Sequence, residues 1–134
     1  MRSLAGIVAL IGLHAAPAPA QTADAYPLRG ITIIVPYTPG TGGDLLARLL
    51  GPRLAERWKV PVVTENRPGA SGNIGAEAVA KAAPDGYTLL STATSFGTNP
   101  PLQPKLPFDP IKSFAPVALL ATSDMGLYAS PASG

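Results

Sequence analysis

The chain has 134 residues, a formal net charge of +2, one histidine, no cysteine and 46% hydrophobic residues. A charge so near neutral excludes the clustered basic face that nucleic-acid binding requires, so no nucleic-acid partner is predicted. The lack of cysteine excludes disulfide bonds, and a stable fold must therefore come from the burial of apolar side chains.

The first twenty residues have the pattern of an export signal. Arg2 precedes an apolar run over residues 4–13, and Ala18 and Ala20 then form a pair of small residues typical of a cleavage site. The apolar run is about half of the ~20 residues that span a bilayer, which favours a cleaved signal over a membrane anchor. Residues 1–20 are therefore interpreted as a signal peptide, and the mature protein is predicted to be exported.

The predicted signal peptide contains the only histidine, His14. A mature chain that starts at Gln21 has neither histidine nor cysteine, which are common general bases, nucleophiles and metal ligands. The carboxylates are scattered without metal-ligand spacing, and no G-x-S-x-G motif of an esterase nucleophile occurs. The sequence thus predicts no catalytic residue, no metal site and no cofactor.

Short apolar runs, rich in β-branched residues, predict three strands over residues 31–35, 60–64 and 87–91. Proline and glycine residues bound each run, as expected where strands end in turns. A further strand is predicted over residues 114–120, followed by a crossing segment over residues 126–129.

Two segments between the predicted strands have helical periodicity. The first begins at Asp44 and the second spans residues 74–83. Gly51 and Pro52 predict a kink or a break in the first helix, because proline removes a backbone donor. Four residues of this helix are spaced by four and are expected in the core: Leu46, Leu50, Leu54 and Trp58. The alternation of strands and helices predicts an α/β fold, with right-handed βαβ units and a parallel sheet covered by helices on both faces.

Ligands of open α/β sheets bind beyond the carboxyl ends of the strands, where the strand order reverses. If the first strand is central, with the second and third on either side, the loops that meet at this point are residues 36–44 and 92–99. The first loop is rich in glycine and leads into a helix N-terminus, which favours an anion, and the second is rich in hydroxyl groups. The candidate ligand-binding residues are Tyr37, Thr38, Pro39, Gly40, Thr41, Gly42, Gly43, Asp44, Thr92, Thr94, Ser95 and Asn99.

Simpler interpretations exist for several of these residues. A glycine-rich turn between a strand and a helix is most often only a turn. Asp44 is better explained as a carboxylate that the helix dipole favours at the N-terminus than as a residue that contacts a ligand. Residues 65–67 are expected to fix a loop, and Asp85 to stabilise a turn. The glycines of residues 36–44 lack dinucleotide spacing, and residues 69–75 lack the Lys-Ser/Thr of a P-loop, so no nucleotide is predicted.

Five motifs follow one another along the chain. Residues 33–48 read IIVPYTPGTGGDLLAR, residues 62–75 read VVTENRPGASGNIG and residues 78–90 read AVAKAAPDGYTLL. LPFDP at 106–110 and FAPV at 114–117 continue the series. In this order, the motifs resemble those of the Bug-type substrate-binding proteins, the periplasmic receptors of tripartite tricarboxylate transporters.

The resemblance implies a type II periplasmic-binding-protein fold, of which residues 21–122 would form the N-terminal lobe and residues 123–134 the start of a crossover to a second lobe. It further implies a periplasmic receptor that binds a small carboxylate (a dicarboxylate, tricarboxylate, amino acid or aromatic acid) and works with membrane transporter subunits. Two alternatives stay open: an exported α/β enzyme such as a hydrolase, and a truncated remnant that does not bind a ligand.

Overall fold

The computed structural model describes residues 26–98, 105–124, 126, 129 and 130. The predicted signal peptide, the candidate residue Asn99 and most of the predicted crossover lie outside the described residues. The described elements are, in chain order, β1 (Ile31–Val35), α1 (Gly42–Trp58), β2 (Val62–Asn66), a 3-10 turn (Ala70–Gly72), α2 (Asn73–Ala80), β3 (Thr88–Leu90) and α3 (Ser95–Thr98).

The three strands form a parallel sheet in the order β2-β1-β3. Val35 at the end of β1 pairs with Asn66 at the end of β2, and Ile34 pairs with Leu90 of β3. The predicted order, with the first strand in the centre, is confirmed. This register places the carboxyl ends of all three strands at one edge of the sheet.

Strand β1 is buried on both faces of the sheet. Ile33 and Val35 belong to a cluster with Ala47 of α1, whereas Ile34 borders a cleft of about 260 Å³ that Ala78 of α2 also lines. Because successive strand residues point to opposite faces, α1 and α2 cover opposite faces of the sheet. The predicted α/β class, with a parallel sheet between helices, is confirmed.

Helix α1 is continuous, so the break predicted at Gly51 and Pro52 is wrong. Pro52 is exposed, and the carbonyl that it deprives of a donor belongs to Arg48, which is also exposed. Gly51 is buried, and a Cβ atom at this position would lie 3.7 Å from the carbonyl oxygen of Val62. Helix α1 therefore packs against β2 at the residue just before the proline.

The predicted apolar stripe of α1 does not form the core. Its four side chains are only partly buried: Leu46, Leu50, Leu54 and Trp58. The fully buried positions of the helix are Asp44, Ala47 and Gly51, which are one helical turn apart and carry small or polar side chains.

Among the described residues, no helix combines the length and the apolarity that crossing a membrane requires.

Element boundaries differ from the prediction by a few residues. β2 begins and ends two residues later than expected, and α2 ends at Ala80 instead of residue 83. β3 is shorter by one residue at each end. The stretch over residues 92–99, expected to be a loop, contains the four-residue helix α3, which is too short to show helical periodicity in sequence.

No strand forms over residues 114–120, so this prediction is wrong. Val117 and Leu119 are more than 80% exposed. Phe114 packs its ring against Phe96 and Phe108, with centroids 5.0 and 5.6 Å apart. The apolar composition suits a strand, but a strand also needs a neighbour to accept and donate its hydrogen bonds, and none of the described strands pairs with this segment.

At the amino edge of the sheet, the residues before β1 are fastened to the turn before β3. We call residues 26–30 the arm. The Tyr26 hydroxyl donates to the Gly86 carbonyl oxygen over 2.6 Å, and the Leu28 amide donates to the Tyr87 hydroxyl over 2.9 Å. The arm thus closes the edge of the sheet opposite to the predicted ligand loops.

An exposed ion pair adds to this attachment. Arg29 Nη2 lies 2.7 Å from Asp85 Oδ2, and the Arg29 guanidinium lies 3.9 Å from the centroid of the Tyr87 ring. Asp85 Oδ1 also accepts the backbone N–H of Tyr87 over 3.1 Å, which confirms the predicted turn-stabilising role of Asp85.

Candidate functional site

Two loops lie at the carboxyl edge of the sheet. The glycine loop (residues 36–44) runs from β1 into α1, and the hydroxyl loop (residues 91–98) follows β3 and includes α3. Because β1 and β3 are parallel neighbours, the two loops leave the sheet side by side at the point where the strand order reverses. The predicted meeting of these loops is confirmed.

Side-chain hydroxyl groups join the two loops. The Tyr37 hydroxyl lies 2.6 Å from Ser95 Oγ and 3.1 Å from Thr92 Oγ1. The Ser91 hydroxyl, which is buried, donates to the carbonyl oxygen of Gly43 over 3.1 Å. The phenol of Tyr37 is therefore engaged within the protein, and its position links the shape of one loop to that of the other.

The three glycines of the glycine loop meet different demands. Gly40 has a φ of +86°, in the left-handed region that side chains disfavour. A Cβ atom at Gly43 would lie 3.5 Å from the Ser91 carbonyl oxygen, an ordinary van der Waals distance, so the hydroxyl loop packs against this glycine without requiring it. A Cβ atom at Gly42 would meet nothing within 4 Å. The fold therefore makes no demand for glycine at position 42.

The N-terminus of α1 lies within the glycine loop. The first hydrogen bond of the helix runs from the Leu45 N–H to the Thr41 carbonyl oxygen, and Thr41, at the N-cap, makes no side-chain capping bond. The Thr41 hydroxyl donates instead to the carbonyl oxygen of Thr38. The amides of residues 42–44 thus precede the helical ladder, at the positive end of the helix dipole, where anions are favoured.

Asp44 is buried beneath this helix N-terminus, with 2% of its surface exposed. Its Oδ2 accepts the Gly40 N–H over 2.9 Å, and its Oδ1 accepts bonds from Asn66 Nδ2 over 2.9 Å and Arg48 Nε over 3.0 Å. The backbone bond from Gly40, then those from Asn66 and Arg48, lower the pKa of the Asp44 carboxyl below its ordinary value. The carboxylate is therefore ionised at neutral pH, and both oxygens are bonded inside the protein.

Asn66 connects this carboxylate to the backbone of the glycine loop. Its amide nitrogen also donates to the carbonyl oxygen of Tyr37 over 3.1 Å, and its Oδ1 accepts from Arg48 Nη2 over 2.8 Å. These bonds reach the glycine loop because Asn66 ends β2 opposite Val35, where β1 ends. We call Asp44, Arg48 and Asn66 the polar hub.

The remaining candidate residues lie at the surface around the two loops. Thr38, Pro39, Thr92 and Thr94 are exposed, and Thr41 and Ser95 are partly buried. The carbonyl oxygen of Thr94 accepts the amides of Gly97 and Thr98, which fixes the start of α3 within the hydroxyl loop. The role of these residues in ligand binding stays a prediction.

Glu65 and Arg67 flank Asn66 but form a separate pair. Arg67 Nε donates to Glu65 Oε1 over 2.7 Å, both side chains are nearly half exposed, and both border the cleft on the α2 face of the sheet. Within the part of the chain that the structure describes, no three histidine, cysteine, aspartate or glutamate residues lie close enough to hold a metal ion.

Sequence patterns indicated only part of the polar hub. The i, i+4 spacing of Asp44 and Arg48 on a helix is a visible signal for an ion pair. Residues 65–67 were expected to fix a loop, which holds for Asn66. The loop that Asn66 holds is the glycine loop. This contact depends on the register between β1 and β2, which cannot be predicted from a local sequence pattern.

The comparisons with known proteins agree with one another. The model of the tripartite tricarboxylate transporter family receptor, TctC, matches residues 46–134. The protein BugT of Bordetella pertussis is 38% identical over 130 residues, which cover 93% of this chain and 40% of BugT. The chain thus spans about two fifths of the length of this relative.

Solved structures of similar proteins share the fold. MatC from Rhodopseudomonas palustris, with bound malate, is 40% identical and has a TM-score of 0.63 over 71% of this chain and 33% of MatC. A protein described as a periplasmic transporter is 47% identical, with a TM-score of 0.59 over 66% of this chain and 30% of its own. The family model that matches the chain describes a transporter receptor. The chain therefore belongs to the TctC family of tripartite tricarboxylate transporter receptors, the family that its motifs resemble.

Proposed function

We propose that the chain is part of a periplasmic receptor that binds a small carboxylated solute and delivers it to a tripartite tricarboxylate-type transporter. Membership of the TctC family supports this class of function, and the malate bound to MatC supports a carboxylate. The observation that carries the proposal is the glycine loop, which the polar hub holds with the amides of residues 42–44 ahead of the first helical bond.

The ligand would lie between the glycine loop and the hydroxyl loop. Main-chain amides of Gly42 and Gly43 would bind one carboxylate, and the hydroxyls of Thr92 and Ser95 would bind other polar groups of the ligand. Tyr37 has its hydroxyl engaged across the loops, so it would act by holding them together. Thr38, Pro39, Gly40, Thr41, Thr94 and Asn99 complete the proposed ligand-binding set. Asp44 would contribute only its main-chain amide, because both of its carboxylate oxygens are bonded within the protein.

Residues 1–20 are proposed to direct export to the periplasm and to be removed after Ala20, which fits the similar structure described as a periplasmic transporter. Residues 21–122 would then form the ligand-binding lobe, and residues 123–134 would begin the crossover. Sequencing the N-terminus of protein from a periplasmic extract tests this proposal. A mature protein that begins at Met1 would contradict it.

The two loops can surround only one side of a ligand. They offer three or four hydrogen bonds to a charged carboxylate, each worth about 1.5–3 kcal/mol, while association itself costs several kcal/mol. Residues 21–134 alone are therefore expected to bind malate with a Kd of about 1 mM, equivalent to about 4 kcal/mol.

Titration followed by nuclear magnetic resonance suits such weak binding. Malate added to isotope-labelled residues 21–134 should shift the amide signals of residues 40–44 and 92–95 and leave those of the arm unchanged. Malamide, the neutral diamide, is the control and should shift none of them. If malate shifts no signal of either loop at roughly 50 mM, fifty times the expected Kd, the proposed function is wrong for this chain.

Replacement of Gly42 separates a binding role from a folding role. A Cβ atom at this position meets nothing within 4 Å, so Gly42→Val should leave the melting temperature nearly unchanged. The valine methyl groups should nevertheless obstruct the amides beside them and weaken malate binding by roughly tenfold or more, equivalent to at least about 1.4 kcal/mol. If melting falls and binding does not, the glycine serves the fold.

A further inference from the structure

We propose that Arg48 is a positioning residue that cancels the charge of Asp44 at the ligand loops, so that an anion is attracted there although Arg48 does not touch it. The inference rests on the proposed function, because it assumes that the glycine loop receives a carboxylate. It goes beyond that function by assigning the ligand's charge selectivity to a side chain outside the candidate site.

The geometry makes Arg48 the cationic partner of a buried charge. Its Nε lies 3.0 Å from Asp44 Oδ1, and its Nη2 bonds to Asn66, which holds the guanidinium plane against the carboxylate. The Asp44 side chain is 3% exposed, whereas that of Arg48 is 50% exposed. Water therefore screens Asp44 poorly, and the charge of Asp44 must be balanced mainly by the protein.

The sizes of the charges decide the sign of the field at the loop. The N-terminus of a helix is equivalent to roughly +0.5 of an elementary charge. The ionised Asp44, in the first turn of the same helix, carries a full negative charge that exceeds it. Without Arg48 the loop would repel an anion, whereas with Arg48 the pair is neutral and the helix N-terminus dominates.

Asp44 is retained for a different reason, namely the shape of the loop. Its Oδ2 accepts a hydrogen bond from the N–H of Gly40, the residue with a φ of +86°. Its Oδ1 accepts one from Asn66 Nδ2. The Asp44 carboxylate thus fixes the turn, and the Arg48 cation cancels the repulsion between that carboxylate and an anionic ligand.

Within the described part of the chain, Arg48 is the one cation bonded to the Asp44 carboxylate. The other two partners of the carboxylate, the Gly40 amide and the Asn66 side chain, are neutral. Arg67, near the end of β2, is paired with Glu65. Loss of the Arg48 charge would therefore leave Asp44 uncompensated.

The test compares Arg48→Gln with Arg53→Gln in malate titrations of residues 21–134 at neutral pH. Arg53 is an exposed arginine of the same helix, so its replacement removes the same charge from the protein as a whole. Arg48→Gln should weaken malate binding by roughly tenfold or more, because a unit charge a few ångströms away opposes the ligand. Arg53→Gln should change the Kd less than about twofold, and Arg48→Lys should restore part of the loss.

A double substitution distinguishes this electrostatic role from a purely structural one. Arg48→Gln should cost little malate affinity in an Asp44→Asn background, where no charge is left to cancel.

If Arg48→Gln costs as much malate affinity in the Asp44→Asn background as in the wild type, the proposal is overturned. Arg48→Gln binding malate as well as Arg53→Gln would overturn it too. A wild-type chain that binds no malate at either loop would instead contradict the proposed function, and the two failures are therefore distinguishable.

Discussion

The two edges of the sheet are held by different kinds of interaction. At the carboxyl edge, the polar hub fixes the glycine loop through hydrogen bonds of 2.8–3.1 Å around a buried carboxylate. At the amino edge, the arm is held by two hydrogen bonds, an exposed ion pair and aromatic contacts that have no counterpart in the polar hub. The Tyr26 ring lies 5.1 Å from that of Tyr87 and 6.3 Å from that of Trp58, between centroids.

The difference follows from what each edge must leave free. Aromatic rings close an edge effectively because they bury much area, but they cover the backbone beneath them. The polar hub instead bonds to one loop amide and one loop carbonyl, from below, and the amides of residues 42–44 stay outside it. A loop can thus be rigid and still offer donors to a ligand. Four substitutions test this contrast, from the largest expected effect to the smallest.

Gly75→Ala should destabilise the carboxyl edge most strongly. A Cβ atom at Gly75 would lie 2.8 Å from Pro36 Cβ and 2.9 Å from the Arg67 carbonyl oxygen, so the backbone of the loop must shift. We expect a loss of up to about 3 kcal/mol of unfolding free energy, measured in urea by Trp58 fluorescence. Gly97→Ala is the control, since a Cβ atom there meets nothing within 4 Å. Equal stability of the two variants would contradict the packing argument.

Asn66→Ala should affect both stability and binding. It removes the donor to the Tyr37 carbonyl oxygen, which costs about 1–2 kcal/mol of unfolding free energy. It also releases the backbone of the glycine loop, so malate binding should weaken. Glu65→Ala, on the same strand, removes only an exposed ion pair and should cost less than about 1 kcal/mol. If the two variants lose the same stability and the same affinity, the polar hub does not hold the loop.

Tyr37→Phe should uncouple the two loops. The loss of the hydroxyl bonds to Ser95 and Thr92 should cost about 0.5–1.5 kcal/mol of unfolding free energy and should weaken malate binding. Tyr87→Phe removes a comparable hydroxyl bond at the amino edge, and should leave malate binding unchanged. A decrease in affinity for both variants would show that the edges are not independent.

Arg29→Gln should have the smallest effect. The Arg29 side chain is 62% exposed, and its partner Asp85 is 40% exposed, so the ion pair contributes about 0.2–1 kcal/mol. This contribution should decrease as salt is added, and malate binding should not change. A loss of several kcal/mol, measured by urea unfolding, would mean that the amino edge depends on charge rather than on its aromatic rings.

The sheet could be predicted from the sequence because each step had a local signal. A β-branched run marked β1, glycine and proline marked the turns, and the handedness of βαβ units then placed the helices on opposite faces. The boundaries of β2 and α2 were less well defined, since Val60, Ala82 and Ala83 continue the apolar pattern beyond the hydrogen-bonded elements.

The polar hub could not be predicted as a unit. Asp44 and Arg48 are a visible helical pair, but Asn66 joins them through the pairing of β1 with β2, which depends on the whole sheet. The strand expected over residues 114–120 failed for a related reason. Its composition was suitable, but strand formation needs a partner, and composition does not report one.

The bridge from Tyr37 to the hydroxyl loop has a consequence for sequence variation within the family. A phenol at position 37 is useful only while position 95 or 92 carries a hydroxyl, and those hydroxyls lose a partner if the phenol is lost. Positions 37, 92 and 95 should therefore change together among relatives. Substitutions that alter which solutes are accepted should then appear as matched changes in both loops.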